Sequence, residues 1–323
     1  MESFDDASSI FILRFRETER NMLGKTSARR DKRYNYIGLL YILPWLIGFF
    51  TLQLYPFLMS FYYSLTDLNL FKAPNFIGLG NFVQMFTTNL DFWQSFNVTF
   101  VYVLIAVPAK LAFALAVAMI MNQKLRGINF FRTIYYLPSI LGGSVALAIL
   151  WRLLFMKDGV VNHYLGYLGI PSLNWLGDPS LALPTIGLLQ VWQFGSSMVL
   201  FLAALKQIPG ELYEAAKVDG APRWRMFLSI TLPQLTPILF FNLVMQLVNA
   251  FQEMTAAFVI TSGGPLKSTY LYGYMIWQYG FDYLRMGYAS ALSWVLFGIV
   301  MVFTLIIFKS SSMWVHYEDA GDF

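Results

Sequence analysis

The chain of 323 residues contains no cysteine, which excludes disulfide bonds and leaves its redox compartment undetermined. It has two histidines, His163 and His316, and both lie outside the long apolar runs. A zinc site of the H-E-x-x-H type is therefore excluded. The phosphate-binding pattern G-x-x-x-x-G-K-[ST] is also missing, so we do not expect the chain to hydrolyse ATP by itself. Because no paired acid/base constellation is present either, we expect no catalytic residue and no bound cofactor or metal.

Charged residues are scarce as well. They make up 12% of the chain, against 57% hydrophobic residues, and the mean hydropathy is +0.55. A chain of this composition is too apolar to have a surface covered by water, so it is predicted to be a membrane protein. Because about 20 apolar residues span a bilayer, the long uncharged runs predict an all-α protein with six transmembrane helices. These helices are expected at about 36–63, 96–121, 133–154, 184–205, 236–260 and 286–308.

The positions of lysine and arginine predict the orientation of these helices. With a cytoplasmic N-terminus, sixteen of the 22 lie in cytoplasmic segments, five lie outside, and Lys110 lies within a span. Such an excess marks the cytoplasmic side, so both termini are expected in the cytoplasm. The predicted organisation begins with a cytoplasmic tail or surface helix at 1–35. A membrane domain follows at 36–308 and contains a cytoplasmic loop at 206–235. A cytoplasmic C-terminal tail ends the chain at 309–323.

The loop at 206–235 contains the charged stretch "EAAKVDGAPRWRMFLSITLP" (214–233). Helix formers after Pro209 predict a first helix, and Gly220 ends it because glycine tolerates the left-handed conformation. Pro222 can begin a second short helix, and Pro233 predicts a bend into the fifth span. The result is a helix-turn-helix whose small residues permit close approach by another protein. The alternative is an amphipathic loop that rests on lipid headgroups.

The spacing of this stretch is specific. Glu214-Ala215-Ala216, then three residues, Gly220, nine residues and Ile230-x-Leu232-Pro233 resembles the EAA signature of permease subunits in binding-protein-dependent ABC importers. Four other stretches, "NFIGLGNF", "FRTIYYLPSI", "TSGGP" and "GYASALS", are similar to MalF-type carbohydrate permeases, and the likeness covers about 36–308. The maltose permease itself has a large periplasmic insertion and extra helices. The short loops here resemble the compact six-helix sugar permeases instead.

This resemblance implies a type I ABC importer permease fold in the bacterial inner membrane and a role in sugar or oligosaccharide import. It implies as partners a second homologous permease, two ATPase subunits that bind ATP and Mg²⁺, and an external or periplasmic solute-binding protein; no nucleic acid is expected. The EAA loop (206–235) would be the element that docks on the ATPase, with Glu214 making a polar contact and Gly220 shaping the turn. The coupling residues that it implies are Glu214, Ala215, Ala216, Asp219 and Gly220.

Two stripes of polar residues predict a translocation path. In the fifth span four polar residues recur at helical offsets of four, three and four, and in the fourth span three recur at offsets of three and four. They are Asn242, Gln246, Asn249 and Glu253, and Gln190, Gln193 and Ser197. Polar groups are costly against lipid, so these faces should look inward. The hypothesis is that they contact sugar hydroxyls, with Trp192 and Phe251 offering ring surfaces; the alternatives are interhelical hydrogen bonds and, for Glu253, an interface position.

The sequence does not identify which sugar or oligosaccharide is the substrate. Lys110 and Arg152 favour an acidic oligosaccharide, such as a uronate or alginate fragment, if they face the path; the more common role of such cations is to snorkel or lie at an interface. An ion- or proton-coupled secondary transporter is the alternative function. Lys110 and Glu253 would suit it, but the inverted repeats typical of such transporters are missing from the sequence.

Overall fold

The computed structural model describes residues 38, 40–69, 71–123 and 126–316, so the tail or surface helix predicted at 1–35 lies outside the described residues. The described residues are mostly helical, and their only β pairing consists of two isolated bridges near Thr66 and Asn69. The helices are α1 (Leu40–Ser64), α2 (Gly80–Thr87), α3 (Leu90–Met121), α4 (Ile128–Ile140), α5 (Val145–Leu154), α6 (Val160–Tyr167), α7 (Pro179–Trp192), α8 (Gly195–Leu205), α9 (Gly210–Val218), α10 (Arg223–Phe251), α11 (Tyr272–Trp277) and α12 (Met286–Trp314).

Four helices of the described chain, α1, α3, α10 and α12, are long and apolar enough to cross a membrane. Two further pairs, α4 with α5 and α7 with α8, meet the same criterion jointly but are bent by 104° and 46°. The described residues therefore hold four candidate spans, or up to six if each bent pair crosses once. These helices and bent pairs lie at about the positions of the six spans that the sequence predicted.

The chain divides into two compact units, Met1–Tyr62 and Tyr63–Phe323. The first unit contains most of α1, and this helix has a widened π-type turn over Phe49–Leu54. In the second unit α3 is central and packs against α7, α8 and α10. Small side chains allow these helices to approach closely, because Ala106, Ala114 and Ala118 of α3 are at most 1% exposed.

The bend between α4 and α5 replaces the straight span predicted at 133–154. Pro138 lies near the end of α4, and Gly143 in the connection has a φ of +73°, a left-handed conformation that glycine adopts without strain. Ser144 then caps α5, its hydroxyl accepting a hydrogen bond from the backbone N–H of Leu147 at 3.2 Å. The sequence thus ends one helix and starts another inside a single apolar run.

Helix α10 differs from the prediction at both ends. The sequence predicted a separate short helix, a bend at Pro233 and a span over 236–260, but one helix runs over Arg223–Phe251. A π-type turn over Phe227–Thr231 lies just before Pro233 and joins the first turns of this helix to the rest of it, so the second helix of the loop is not separate from the span. Beyond Phe251 the chain turns, and the Glu253 carboxylate accepts a hydrogen bond from the N–H of Ala256 at 2.9 Å.

Candidate functional site

A polar cavity of about 500 Å³ lies among α3, the connection of α4 to α5, and the ends of α7 and α10. Five of the seven residues predicted to form a path line it: Gln190, Gln193, Gln246, Asn249 and Glu253. Amide side chains offer both donors and acceptors, so the wall can form hydrogen bonds with hydroxyl groups in either sense. The two polar stripes that the sequence predicted therefore meet at one cavity.

The other two predicted path residues do not line this cavity. Asn242 is 1% exposed, and its amide donates a hydrogen bond to the carbonyl of Ile238 in the preceding turn at 3.0 Å. Ser197 is fully buried and accepts a hydrogen bond from the Gln246 amide at 3.3 Å. An interhelical hydrogen bond was the alternative role for these polar residues, and Gln246 and Ser197 form one. Gln246 both faces the cavity and ties α10 to α8.

The aromatic residues proposed as sugar-facing rings lie elsewhere. Phe251 is 1% exposed and stacks on Phe303 of α12 at 5.3 Å between ring centroids. The ring of Trp192 lies 5.8 Å from that of Trp151. No aromatic side chain is among the described residues that line the cavity, so neither ring is placed at it. Both rings are engaged in packing between helices, which position in the sequence does not reveal.

One wall of the cavity is built where the two bent pairs meet. The Ser139 hydroxyl of α4 accepts a hydrogen bond from the backbone N–H of Ser196 at 2.9 Å and donates one to the carbonyl of Gln193 at 3.2 Å. Beside it a Cβ on Gly195 would lie 2.4 Å from the carbonyl oxygen of Tyr135, so only glycine fits there. Sequence reasoning missed Ser139, although it belongs to the "FRTIYYLPSI" stretch that carries the family likeness.

Two charged residues, Lys110 and Glu253, face the cavity among the described lining residues. Lys110 is 5% exposed and lies in the middle of α3. Arg152, the other cation considered for an acidic solute, is exposed, and its guanidinium donates to the carbonyl of Val259 at 3.4 Å. The structure therefore brings Lys110 to the cavity and leaves Arg152 outside it.

The EAA loop has the first helix and the turn that its sequence predicted, but its second helix is the beginning of α10. Helix α9 ends at Val218, Gly220 has a φ of +72°, and α10 begins at Arg223. The hydroxyl groups of Tyr213 and Thr231 lie 2.9 Å apart, which ties α9 to the start of α10. The loop is thus fastened directly to the helix that carries Gln246 and Asn249.

The residues predicted to couple this loop to a partner lie on its surface. Ala216 is half-buried, and the other four, Glu214, Ala215, Asp219 and Gly220, are exposed. Large apolar side chains near them are exposed too, with Val218 at 88% and Trp224 at 67%. The exposed surface of the loop is therefore partly apolar and includes small residues.

Comparison with known sequences finds a family and relatives that match most of the chain. The family model described as "Binding-protein-dependent transport system inner membrane component" matches residues 98–316. The chain is 51% identical over 294 residues to the probable ABC transporter permease protein YesP of Bacillus subtilis, covering 90% of this chain and 95% of the relative. It is 32% identical to the trehalose/maltose transport system permease protein MalF of Thermococcus litoralis, covering 90% and 97%.

A solved structure shares the fold. A chain from the crystal structure of a bacterial ABC transporter involved in the import of the acidic polysaccharide alginate superposes with a TM-score of 0.72, covering 89% of this chain and 99% of that one at 24% identity. At that identity the likeness concerns the fold. The family model and the two relatives confirm the resemblance on which the sequence prediction rested. The chain belongs to the family of inner membrane components of binding-protein-dependent transport systems.

Proposed function

We propose that this chain is a transmembrane permease subunit of an ATP-driven importer of sugars or oligosaccharides, and that it forms half of the translocation path. The observation that carries this proposal is the cavity lined by amides from α7 and α10. Sugars present many hydroxyl groups, and Gln190, Gln193, Gln246 and Asn249 can each donate to or accept from them. The name of the Thermococcus relative, a trehalose/maltose permease, supports a carbohydrate substrate.

The proposed topology has six spans with both termini in the cytoplasm of a bacterium, and with each bent pair crossing once. The mean hydropathy of the long helices and the excess of lysine and arginine on the predicted cytoplasmic side support it. In this arrangement the EAA loop faces the cytoplasm. The membrane domain is 36–308, between a tail at 1–35 and a tail at 309–323.

The proposed partners are a second homologous permease, two ATPase subunits and an external solute-binding protein. The ATPases bind ATP and Mg²⁺, and this chain provides the docking surface. On that surface Glu214 makes a polar contact, Ala215 and Ala216 allow close approach, and Asp219 with Gly220 forms the turn. The exposed Val218 and Trp224 support an apolar contact with another protein.

An ion-coupled transporter would also place charged groups in its path, as Lys110 and Glu253 are placed here. Membership of a binding-protein-dependent family favours the ATP-driven mechanism instead. Co-purification of the chain with ATPase subunits in stoichiometric amount, and stimulation of their activity by substrate and binding protein, would separate the two mechanisms.

Thiol labelling tests the path, because the chain has no cysteine of its own. In the assembled complex, Asn249→Cys is expected to react with a small water-soluble maleimide, and substrate with binding protein and ATP should change the rate. The matched control is Val248→Cys, whose residue is not among those that line the cavity. We expect this neighbour to react at least about tenfold more slowly. Equal labelling of both positions, unaffected by substrate, would contradict the proposed path.

A further inference from the structure

A small chamber of about 20 Å³ shares lining residues with the polar cavity and lies where three breaks between helices meet. Each break contributes two lining residues: Gly143 and Ser144 between α4 and α5, Gln190 and Gln193 at the end of α7, and Glu253 and Thr255 after α10. The unbroken helix α3 contributes Tyr102. A break in a membrane helix frees backbone polar groups, which then need partners in the protein or in ordered water. The chamber is far too small for a sugar ring, so it is distinct from the cavity proposed for the solute.

The Tyr102 hydroxyl is buried without a hydrogen-bond partner. Tyr102 is 1% exposed, and within the part of the chain that the structure describes its hydroxyl makes no hydrogen bond. Tyr272 is buried to the same degree, but its hydroxyl donates directly to the carbonyl of Leu292 at 3.0 Å. A buried hydroxyl is costly unless it is hydrogen-bonded. The Tyr102 hydroxyl therefore needs an acceptor other than a protein group in direct contact with it.

The volume and the charges of the chamber restrict what can fill it. A volume of about 20 Å³ exceeds the roughly 10–15 Å³ that one water molecule requires. Such a water needs at least two polar partners, and the Tyr102 hydroxyl and the Glu253 carboxylate act on each other electrostatically without a direct hydrogen bond. A metal ion is disfavoured, because Lys110 already acts electrostatically on Glu253. A further cation would leave an unbalanced charge in a poorly solvated site.

We propose that the chamber binds one ordered water molecule, which accepts a hydrogen bond from the Tyr102 hydroxyl and donates one to the Glu253 carboxylate. The carboxylate already accepts from the N–H of Ala256 at 2.9 Å, and its remaining lone pairs can accept another bond. The second hydrogen of the water is donated to the amide oxygen of Gln190. The water thereby joins α3 to the turn after α10 and to the end of α7, and Tyr102 positions Glu253 in the cavity wall. This inference holds whichever solute the cavity takes.

A crystal or cryo-electron microscopy map of the full-length protein, at a resolution that shows ordered waters, tests the site directly. One density peak is expected at about 2.7–3.0 Å from both the Tyr102 hydroxyl oxygen and a Glu253 carboxylate oxygen. Tyr102→Phe, which keeps the ring, should remove the peak. An empty chamber, a direct hydrogen bond between the two side chains, or a peak that persists unchanged in Tyr102→Phe overturns the proposal. A peak with ligand distances of about 2.0–2.6 Å, typical of a metal ion, overturns it as well.

Thermal stability provides a second test. Tyr102→Phe is expected to lower the thermal midpoint of the solubilised full-length protein by about 2–4 °C, because the hydrogen bonds of the water are lost. In a background with Lys110→Met and Glu253→Met, which removes both charges together, the same change should lower the midpoint by less than about half as much. The bridge to Glu253 is already broken there. Non-additivity between two residues that form no direct hydrogen bond indicates a bridging group.

Tyr272→Phe is the matched control, since it also removes the hydroxyl of a fully buried tyrosine. Its partner is the carbonyl of Leu292, so it should lower the midpoint equally in both backgrounds. If Tyr102→Phe also has equal effects in both backgrounds, its hydroxyl is not bridged to Glu253 and the proposal is overturned. The map of the parent protein decides the question even if the doubly substituted background fails to fold.

Discussion

At Gly195 two helices approach more closely than any side chain would allow. A Cβ at this position would lie 2.4 Å from the carbonyl oxygen of Tyr135 and 2.7 Å from the Cα of Tyr136. The backbone contact puts the N–H of Ser196 within 2.9 Å of the Ser139 hydroxyl. The wall of the cavity thus depends on the absence of one methyl group.

Gly195→Ala is expected to destabilise the membrane domain by about 1–3 kcal/mol, because backbone atoms rather than flexible side chains must move to admit the methyl group. The measurement is the thermal midpoint of the solubilised protein, followed by size-exclusion chromatography after heating. Gly187→Ala in α7 is the matched control, since its Cβ would meet Ala106 at 3.9 Å, an ordinary contact. Equal midpoints for the two variants would show that the contact at Gly195 is not as close as described.

The residues of the cavity were only partly predictable from the sequence. Periodicity found Gln190 and Gln246 because offsets of three and four place polar groups on one face of a helix. The same rule also selected Asn242 and Ser197, which do not reach the cavity, since periodicity gives the direction around a helix axis and not the depth along it. Ser139 was missed because a single serine in an apolar run has no periodic partner.

Among the elements, α10 joins the two sites. It runs unbroken from Arg223 to Phe251, a length of about 43 Å at 1.5 Å per residue. Near its start Thr231 contacts Tyr213 of α9, and near its end Gln246 and Asn249 face the cavity. Under the proposed function, a displacement of the EAA loop therefore moves the cavity wall with it.

The turn of the EAA loop is the place to test this coupling. Gly220→Trp is expected to leave membrane insertion intact and to reduce both uptake and substrate-stimulated ATPase activity at least about tenfold, because the damage falls on a protein contact. Glu214→Ala should also reduce both uptake and substrate-stimulated ATPase activity. The measurements are uptake into proteoliposomes and phosphate release by the assembled complex.

Gly127→Trp is the matched control for the turn. Gly127 has a φ of +77°, close to the +72° of Gly220, and a Cβ added at either glycine would meet no atom within 4 Å. The two substitutions therefore carry a similar conformational cost, but Gly127 lies outside the EAA loop. Normal stimulated ATPase activity in Gly220→Trp, or an equal loss in Gly127→Trp, would show that the loop is not the docking element.

The elements themselves were predictable to different degrees. Long apolar runs predicted where α3 and α12 lie, because a bilayer core requires about 20 apolar residues. The bends within α4–α5 and α7–α8 were not predicted, since an apolar run has the same composition whether it is straight or broken. The bend near Gly195 depends on contact with α4, which is far away in sequence.

At the scale of the whole molecule, contacts between distant segments hold one end of the second unit together. The Asn89 amide donates hydrogen bonds to the hydroxyls of Tyr279 and Tyr288 at 2.9 and 2.7 Å, and the Arg285 guanidinium donates to Gln84 at 2.7 Å. Lys267 and Asp91 form an ion pair. Each contact joins residues more than 170 positions apart in the chain, and a single sequence gives no sign of such pairs.

The number of crossings decides on which side of the membrane each site lies, and reporter fusions can measure it. If both bent pairs cross, a reporter after residue 323 and one within 206–235 should both report cytoplasm, while one inserted at 155–183 should report the outside. If both pairs only enter and return, the 155–183 reporter moves to the cytoplasm; if one does, the C-terminal reporter moves outside. Six spans are expected because lysine and arginine then lie mainly on the inner side. An external signal from 206–235 would contradict this topology altogether, since the EAA loop would then face away from any ATPase.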